Sequence, residues 1–405
     1  MADPVPLPAG VRDVLPVEAA ELRALGDALA GAFASFGFRD VMTPLIELAD
    51  VLDRAEEDGV GRAYRLFDDE GRVLVLRPDL TIPTARLVAT RMADHPDPVR
   101  VSYNARAVRP PVPGRIEGAE QRQAGIELVG LGGPEADAEV IAALATGLAA
   151  AGVPDARIAV GSVALVSAVI EGVGAGSAAQ QGMWAALRGR SLVDWRDAAT
   201  GAGADGEAAA LLAELPSLRG GQEVLDRVSG AVPGAADECA RLAAVLELVA
   251  VHGVAPPMVD LGVVRDWAYY SGVVIEAYAA GAVAPVAVGG RYDGLAARFG
   301  RSRPAVGVAV ALDLLHHAVG RGAEQPDAGI VLVGGCDEFV AQAAALRAGG
   351  VAVVALPSGA TDAEAVALAD GRRFVVRRDG AVWMARDVIG GAEVPVPDLG
   401  EGPWS

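Results

Sequence analysis

The chain has 405 residues, with 34 basic against 53 acidic side chains, a net charge of −19, and a hydrophobic share of 52%. At about 150 residues per domain, this length predicts two or three globular domains, each with a sizeable core. The acidic balance excludes a broad basic footprint for nucleic acid or anionic membranes, although it leaves room for a local basic pocket. All 34 basic residues are Arg and Asn104 is the only Asn, a bias that reads as a GC-rich genome. Lysine chemistry is therefore excluded, both a Schiff base and a Walker lysine. Cys239 and Cys336 are far apart and form no CxxC pair, which excludes a disulfide scaffold and a Cys-based zinc site. Buried inert thiols are expected. The N-terminal MADPVPLPAGVRDVLP lacks the basic start and apolar core of a signal peptide. The longest uncharged stretches, such as Ile158 to Ile170, are too short to cross a bilayer. The expectation is a cytoplasmic chain with no membrane partner.

In chain order, Leu22, Leu25, Leu29, Phe33 and Phe36 recur at helical spacing between Val17 and Phe36, and Gly37 supplies the stop. Val73 to Leu76, Val99 to Val108 and Gly125 to Val129 read as strands. Pro134 opens a helix that Gly152 closes. From about 160 to 253 the chain reads as all helical. Strand character returns at Met258 to Leu261, Gly272 to Tyr278 and Val283 to Val288, followed by a helix from near Pro304 to His317. Beyond a polar linker at Arg321 to Asp327, the order is strand GIVLV, helix Glu338 to Arg347, strand VAVVAL, helix Asp362 to Ala369 and strand FVVR. That alternation predicts a small βαβαβ unit with a parallel sheet.

Four segments place polar residues amid apolar strands. In LRPDLT, Arg77, Asp79 and Thr81 alternate and would share one face of a strand, with a solvated face as the alternative. In AVRPPVPGRIEGAEQRQAGIE, Gln123 and Glu127 occupy a strand after an arginine-bearing loop, and taken alone the segment reads first as a surface loop. DLGVVRDWAYYSGVVIEAY sets an Arg and two Tyr before an apolar strand, where they also suit a packed strand end. GGRYDGLAARFGRSRPAVGVAV allows a tight turn and close backbone approach, commonly a structural feature.

Taken in this order and spacing, the four segments resemble the class II aminoacyl-tRNA synthetase core, specifically the histidyl-tRNA synthetase family. The opening LPAGVRDVLP is similar to that family's N-terminal segment. The resemblance covers about Leu7 to Val319. It implies an α+β fold for residues 1–320, an antiparallel sheet flanked by helices with a helical insertion at about 160–253, and usually a dimer. Residues 321–405 resemble a reduced form of the family's anticodon-binding domain, a small α/β unit. Position by position, the resemblance implies a histidine-binding set of Asp79, Thr81, Arg109, Gln123, Glu127, Arg265, Tyr269 and Tyr270. Those residue types suit a zwitterion: carboxylates for its ammonium, arginine for its carboxylate, Tyr or Gln for an imidazole edge.

The adenylation half departs from the family. Pro111 stands at a glutamate position, Leu314 at the position of a phosphate-facing arginine, and Ala268 where the family has an acid. Removing a phosphate-facing cation from such a site costs several kcal/mol of transition-state stabilisation. A histidine pocket beside a damaged ATP site resembles the regulatory subunits of ATP phosphoribosyltransferase, paralogues of the synthetase. That resemblance implies a chain with no catalytic residues, acting in the first step of histidine biosynthesis. Its partners would be the short catalytic subunit, which it activates, and L-histidine, in whose feedback inhibition it takes part. The implied assembly is a homodimer within a hetero-octamer, without tRNA. The alternative is an active histidine–tRNA ligase in which Arg298, Arg301 or Arg303 replaces the missing phosphate contact. Trp184 and Trp195 read as buried anchors before partner contacts, and His252, His316, His317 and His95 show no ligand-like spacing. No metal and no cofactor are assigned.

Overall fold

The computed structural model describes residues 6–55, 63–111, 118–263, 270–320, 327–335, 337–367, 372–379, 382–388, 390–399, 402 and 404. The chain separates into two compact units, Met1–Gly320 and Arg321–Ser405.

The first unit is built on a nine-stranded sheet in the order Arg39–Asp40, Val99–Val108, Glu120–Val129, Ala305–Ala311, Ala287–Arg291, Val273–Tyr278, Arg157–Ser162, Met258–Asp260, Arg219–Gly220. The six strands from Val99–Val108 to Arg157–Ser162 are antiparallel throughout, with a parallel neighbour at each side. Register divides the side chains cleanly. Ile126, Val308, Gly289, Ile275 and Val160 are successive cross-strand partners, as are Glu127, Gly307, Gly290, Val274 and Gly161 one residue along. Because side chains alternate across a strand, the first row faces one side and the second the other.

The apolar side packs under helices Pro16–Ser35, Pro134–Ala150 and Ala236–Val251. Leu22, Leu29, Phe33, Ile141 and Leu144 are each at most 1% exposed in that core. Each such side chain contributes about 1.5–3 kcal/mol by leaving water. The opposite side is small and polar. One end of it is covered by helix Thr81–Arg91, whose Ile82, Ala85 and Val88 pack on Val99, Val101 and Val129, and the far end is covered where Asp260 and Val263 cross Gly161. The part between them forms a cleft.

A separate three-stranded sheet, Ile46–Leu48, Val73–Leu76 and Arg65–Phe67, lies in the same unit. Ile46, Leu48, Leu74, Leu76, Tyr64 and Leu66 share one of its faces, through their pairings with the central strand. Ile46, Leu48, Tyr64 and Leu66 are exposed there.

Three expected elements differ. Arg157–Ser162 and Arg219–Gly220 are strands, so the region from 160 to 253 is helical only between sheet strands. Residues from 304 form the strand Ala305–Ala311 before helix Leu312–Val319 begins. AVGVAVA has no polar residue to mark its period, and only its place between two other strands selects extended backbone. The strand expected at Val283 to Val288 lies later, at Ala287–Arg291.

In the second unit, strands Ala352–Leu356, Asp327–Val333 and Arg372–Asp379 are parallel neighbours. The sheet continues through Val382–Asp387 and Glu393–Val396 as an antiparallel extension, absent from the sequence reading. Trp404 closes this core, edge-on to Phe374 at 5.7 Å and donating from Nε1 to the Leu399 carbonyl.

One buried ion pair joins helix and sheet in the first unit. Arg291, 7% exposed, donates from Nη2 to Asp137 Oδ1 at 2.6 Å and to the Gly133 carbonyl at 3.1 Å. Asp137 is 3% exposed. Removing one partner strands a buried charge. Asp137→Ala is expected to lower the stability of the first unit by about 3–5 kcal/mol, measured by urea unfolding.

Candidate functional site

The cleft, about 710 Å³, occupies the small-residue side of the large sheet. Asp79, Thr81, Arg109, Gln123 and Tyr270 line it.

LRPDLT does not continue as a strand. The strand ends at Leu76, a turn follows, and helix Thr81–Arg91 starts at once. The shared face expected of Arg77, Asp79 and Thr81 is therefore lost, because Pro78 and the helix start redirect the chain. Arg77, 5% exposed, holds the turn instead. Its Nε donates to the Arg106 carbonyl at 2.8 Å, and its Nη1 to the Thr43 carbonyl at 2.6 Å and Thr43 Oγ1 at 2.9 Å. Arg109 closes the turn from the other side, donating from Nε to the Pro78 carbonyl at 2.5 Å.

This clamp fixes Asp79 at the cleft wall, 4% exposed. Its Oδ1 accepts from the Ile82 amide at 2.9 Å, while Oδ2 is buried with no hydrogen-bond partner. Burial raises its carboxyl above the usual range, against the opposing pull of Arg109 and Arg77. An unmatched buried acceptor of this kind is costly and offers a strong contact to a cationic N–H donor.

Gln123 and Glu127 lie on the same face of strand Glu120–Val129, with Gly125 between them. Tyr103 of the neighbouring strand pairs with Gly125, and its ring fills the space that a Cβ there would take. Glu127 is 1% exposed and lies behind the cleft wall. Tyr103 Oη donates to its Oε1 at 3.2 Å, Tyr292 Oη to its Oε2, and Thr81 adds a third side-chain hydrogen bond. Gly307, opposite Glu127 in the next strand, leaves room for this carboxylate; any Cβ there would collide with Oε2. Burial pushes the Glu127 carboxyl up to about 7, with the Asp79 charge adding to the rise and the three hydroxyls opposing it. Tyr103 and Tyr292 were not among the residues singled out from sequence. Tyr292 stands inside GGRYDGL, whereas Tyr103 has no signal until register sets it over Gly125.

Arg265 and Tyr269 lie outside the described residues, as do Ala268 and Cys336. Cys239 is a buried free thiol, and burial lifts its pKa to about 11. Trp195 is 1% exposed in the core, and Trp184 packs against the same core.

The other end of the cleft is lined by the N-terminal segment and helix Leu312–Val319. Arg12 donates to Glu18 at 2.8 Å and to Asp313 at 3.4 Å, and His316 Nε2 stands 2.7 Å from Glu21 Oε2. The His316 pairing is invisible in sequence, since its partner lies on the first helix. Leu314 lines this end and packs against the core. None of Arg298, Arg301 and Arg303 lines the cleft. Arg303 holds the carbonyls of Met92, Ala93 and His95, Arg301 faces Asp97, and Arg298 donates to the carbonyls of Arg54 and Ala55. Among the described residues no cluster of three His, Cys, Asp or Glu has metal-holding geometry, and no helix is long and apolar enough to cross a membrane.

Residues 10–315 match the histidyl-tRNA synthetase family model. A protein from Moorella thermoacetica named as an ATP phosphoribosyltransferase regulatory subunit is 39% identical over 91% of this chain and 96% of its own length. The chain belongs to the ATP phosphoribosyltransferase regulatory subunit family. A second member, from Rubrobacter xylanophilus, is 36% identical over 97% of this chain and 93% of its own. A solved structure from Bacillus halodurans, described as an ATP phosphoribosyltransferase regulatory subunit/histidyl-tRNA synthetase, superposes with a TM-score of 0.82 at 30% identity. It covers 93% of this chain and 99% of that one. The histidyl-tRNA synthetase from Nostoc sp. PCC 7120, at 21% identity and a TM-score of 0.80 over 98% of both chains, shares the fold. The α+β architecture of this family is thus that of class II synthetases.

The Glu127 geometry makes stability pH-dependent in a definite direction. Its carboxyl holds a proton in the folded chain up to about 7 but only to about 4.5 when unfolded. Across that window the folded state binds more protons, so stability falls as pH rises. Glu127→Gln is expected to flatten this part of the profile, measured as the urea midpoint between pH 4.5 and 7.

Proposed function

We propose that this chain is the non-catalytic regulatory subunit of an ATP phosphoribosyltransferase. It activates a short catalytic subunit in the first step of histidine biosynthesis and takes part in feedback inhibition by L-histidine. The observation that carries this reading is Asp79 Oδ2, a buried acceptor without a partner, on a cleft also lined by Thr81, Arg109, Gln123 and Tyr270. Asp79 receives the ligand's ammonium, Arg109 its carboxylate, and Gln123 with Tyr270 the imidazole edge. Glu127, Arg265 and Tyr269 complete the set. Neutral donors suit an imidazole, and paired carboxylate and guanidinium suit the zwitterion.

The absence of catalysis rests on Pro111 and Leu314, which supply neither acceptor nor cation. It rests as well on the arginines at 298, 301 and 303, whose contacts are elsewhere. The second unit is a reduced relative of an anticodon-binding domain that has lost tRNA. Residues 321–405 carry 7 Arg against 12 acids, and Arg373 and Arg377 are ion-paired to Asp387 and Asp362. That is the wrong balance for a phosphate backbone. The complex is cytoplasmic and contains the chain as a homodimer within a hetero-octamer. The apolar face of the three-stranded sheet is the surface that supports self-association.

Mixing the chain with its short catalytic subunit should raise phosphoribosyl-ATP formation and give one co-eluting complex; no activation together with no co-elution rejects the reading. Histidine-dependent ATP–pyrophosphate exchange by the chain alone should be absent. Asp79→Asn should weaken L-histidine binding by about 10- to 100-fold in calorimetry while leaving co-elution intact. Leu48→Glu combined with Leu66→Glu should convert the isolated dimer to monomer in sedimentation, with helical content retained.

A further inference from the structure

A second cavity, about 270 Å³, lies towards the other end of the sheet, where the turn between helices Ser177–Arg188 and Leu192–Thr200 meets strands Val273–Tyr278 and Met258–Asp260. It opens on the same small-residue face as the main cleft, since Glu276 is in the cross-strand row of Val288, Ala309 and Gly125. Two buried carboxylates line it, Glu276 at 2% and Asp260 at 6% exposure. Tyr278 Oη hydrogen-bonds to Glu276. Asp260 accepts from the Gly262 amide at 2.9 Å and from Arg219 Nε at 2.7 Å. The Arg219 side chain is itself exposed, as is Arg190, which also lines the cavity.

Arg190 is the anomaly in this wall. Its φ is 53°, and the other 14 positive-φ residues described in the chain are all Gly. It ends helix Ser177–Arg188 by donating its amide to the Leu187 carbonyl at 3.1 Å, while the Ser191 amide reaches the Ala186 carbonyl at 2.9 Å. That helix stop favours Gly, which has no Cβ to strain the left-handed backbone. Elsewhere this chain meets the same demand with Gly. An arginine held there against its backbone preference, exposed and with no side-chain partner among the described residues, points to a use for its guanidinium.

Among the described residues that line the cavity, two arginines and two carboxylates stand apart from each other. Arg190 and Arg219 stand on the exposed side, and Glu276 and Asp260 are buried. A phosphate dianion would meet two buried carboxylates and be disfavoured. A small neutral dipole fits both ends, and the volume suits a molecule of amino-acid size. We propose that this cavity is a second small-molecule site that binds a free amino acid as its zwitterion, Arg190 taking the carboxylate and Glu276 with Asp260 the ammonium. The proposal is independent of histidine binding in the main cleft.

The test uses the full chain carrying Asp79→Asn, which weakens the main cleft, titrated calorimetrically with each standard L-amino acid except histidine at millimolar concentration. At least one is expected to bind saturably. Arg190→Gly in that background should weaken its binding by about tenfold or more, the loss of one charge-assisted contact. The same change should leave the thermal midpoint equal or higher, because Gly relieves the helix stop. Glu276→Gln, which keeps the side-chain shape, carries the same expected loss and serves if the first variant folds poorly. Binding by none of the amino acids, or unchanged affinity in a folded Arg190→Gly or Glu276→Gln chain, overturns the proposal.

Discussion

The two-residue period of six antiparallel strands constrains nearly everything else in the first unit. One face must meet three helices, so its rows carry Ile126, Val308, Ile275 and Val160 and exclude water by close packing. The other face must stay open, so its rows carry Gly125, Gly307, Gly290 and Ala309. A shift of one residue in any of these strands would exchange the two faces, burying glycine against the helices and presenting valine to the cleft. The cleft is thus a consequence of register rather than of a loop arrangement. It lies on rigid backbone, which is where precise ligand geometry is best held.

Against that open face the chain sets two costly carboxylates. Glu127 is tolerated because three hydroxyls and the room left by Gly307 surround it, and Asp79 because the helix start at Ile82 takes one of its oxygens. Glu127 is matched within the chain, whereas Asp79 keeps one buried oxygen without a partner, the atom that the proposed ligand's ammonium would meet. The proposed feedback regulation adds a further requirement. The ligand must prefer one state of the complex over the other, since equal affinity for both shifts nothing. Asp79, Arg77 and Arg109 are tied through one turn to the backbone of Thr43 and Arg106, so a ligand held as proposed on Asp79 would also load strand Val99–Val108 and the segment that precedes strand Ile46–Leu48.

Legibility in the sequence followed local signals. Helices Pro16–Ser35 and Pro134–Ala150 carry apolar spacing and end-markers strong enough to read directly, and strand Val99–Val108 was legible for its whole length. Ala305–Ala311 was not, because a run of Gly, Ala and Val fits a buried helix as well as a strand. Its identity comes from hydrogen-bonding partners more than 170 residues earlier in Glu120–Val129. LRPDLT was readable as a polar set and misread as a strand, since alternation in a short segment cannot reveal that Pro78 ends the ladder. Within the site, Asp79, Thr81, Gln123 and Glu127 were visible as residues. Tyr103 over Gly125, and His316 beside Glu21, arise only when distant elements meet.

The sequence by itself determined the chemical inventory. It contains arginine as its only strong cation, an ordered set of polar segments, and a proline and a leucine at positions where the resemblance to the synthetases implies a glutamate and an arginine. Side-chain identity is local information, so composition and motif order carry it completely. Tertiary structure decided which of those groups share a cavity, which carboxylate keeps an unmatched oxygen, and which arginines are already spent on backbone carbonyls. Those properties depend on burial and on distances between residues far apart in the chain. Charge is strengthened or suppressed by the dielectric around it, and only the folded sheet and its helices set that environment.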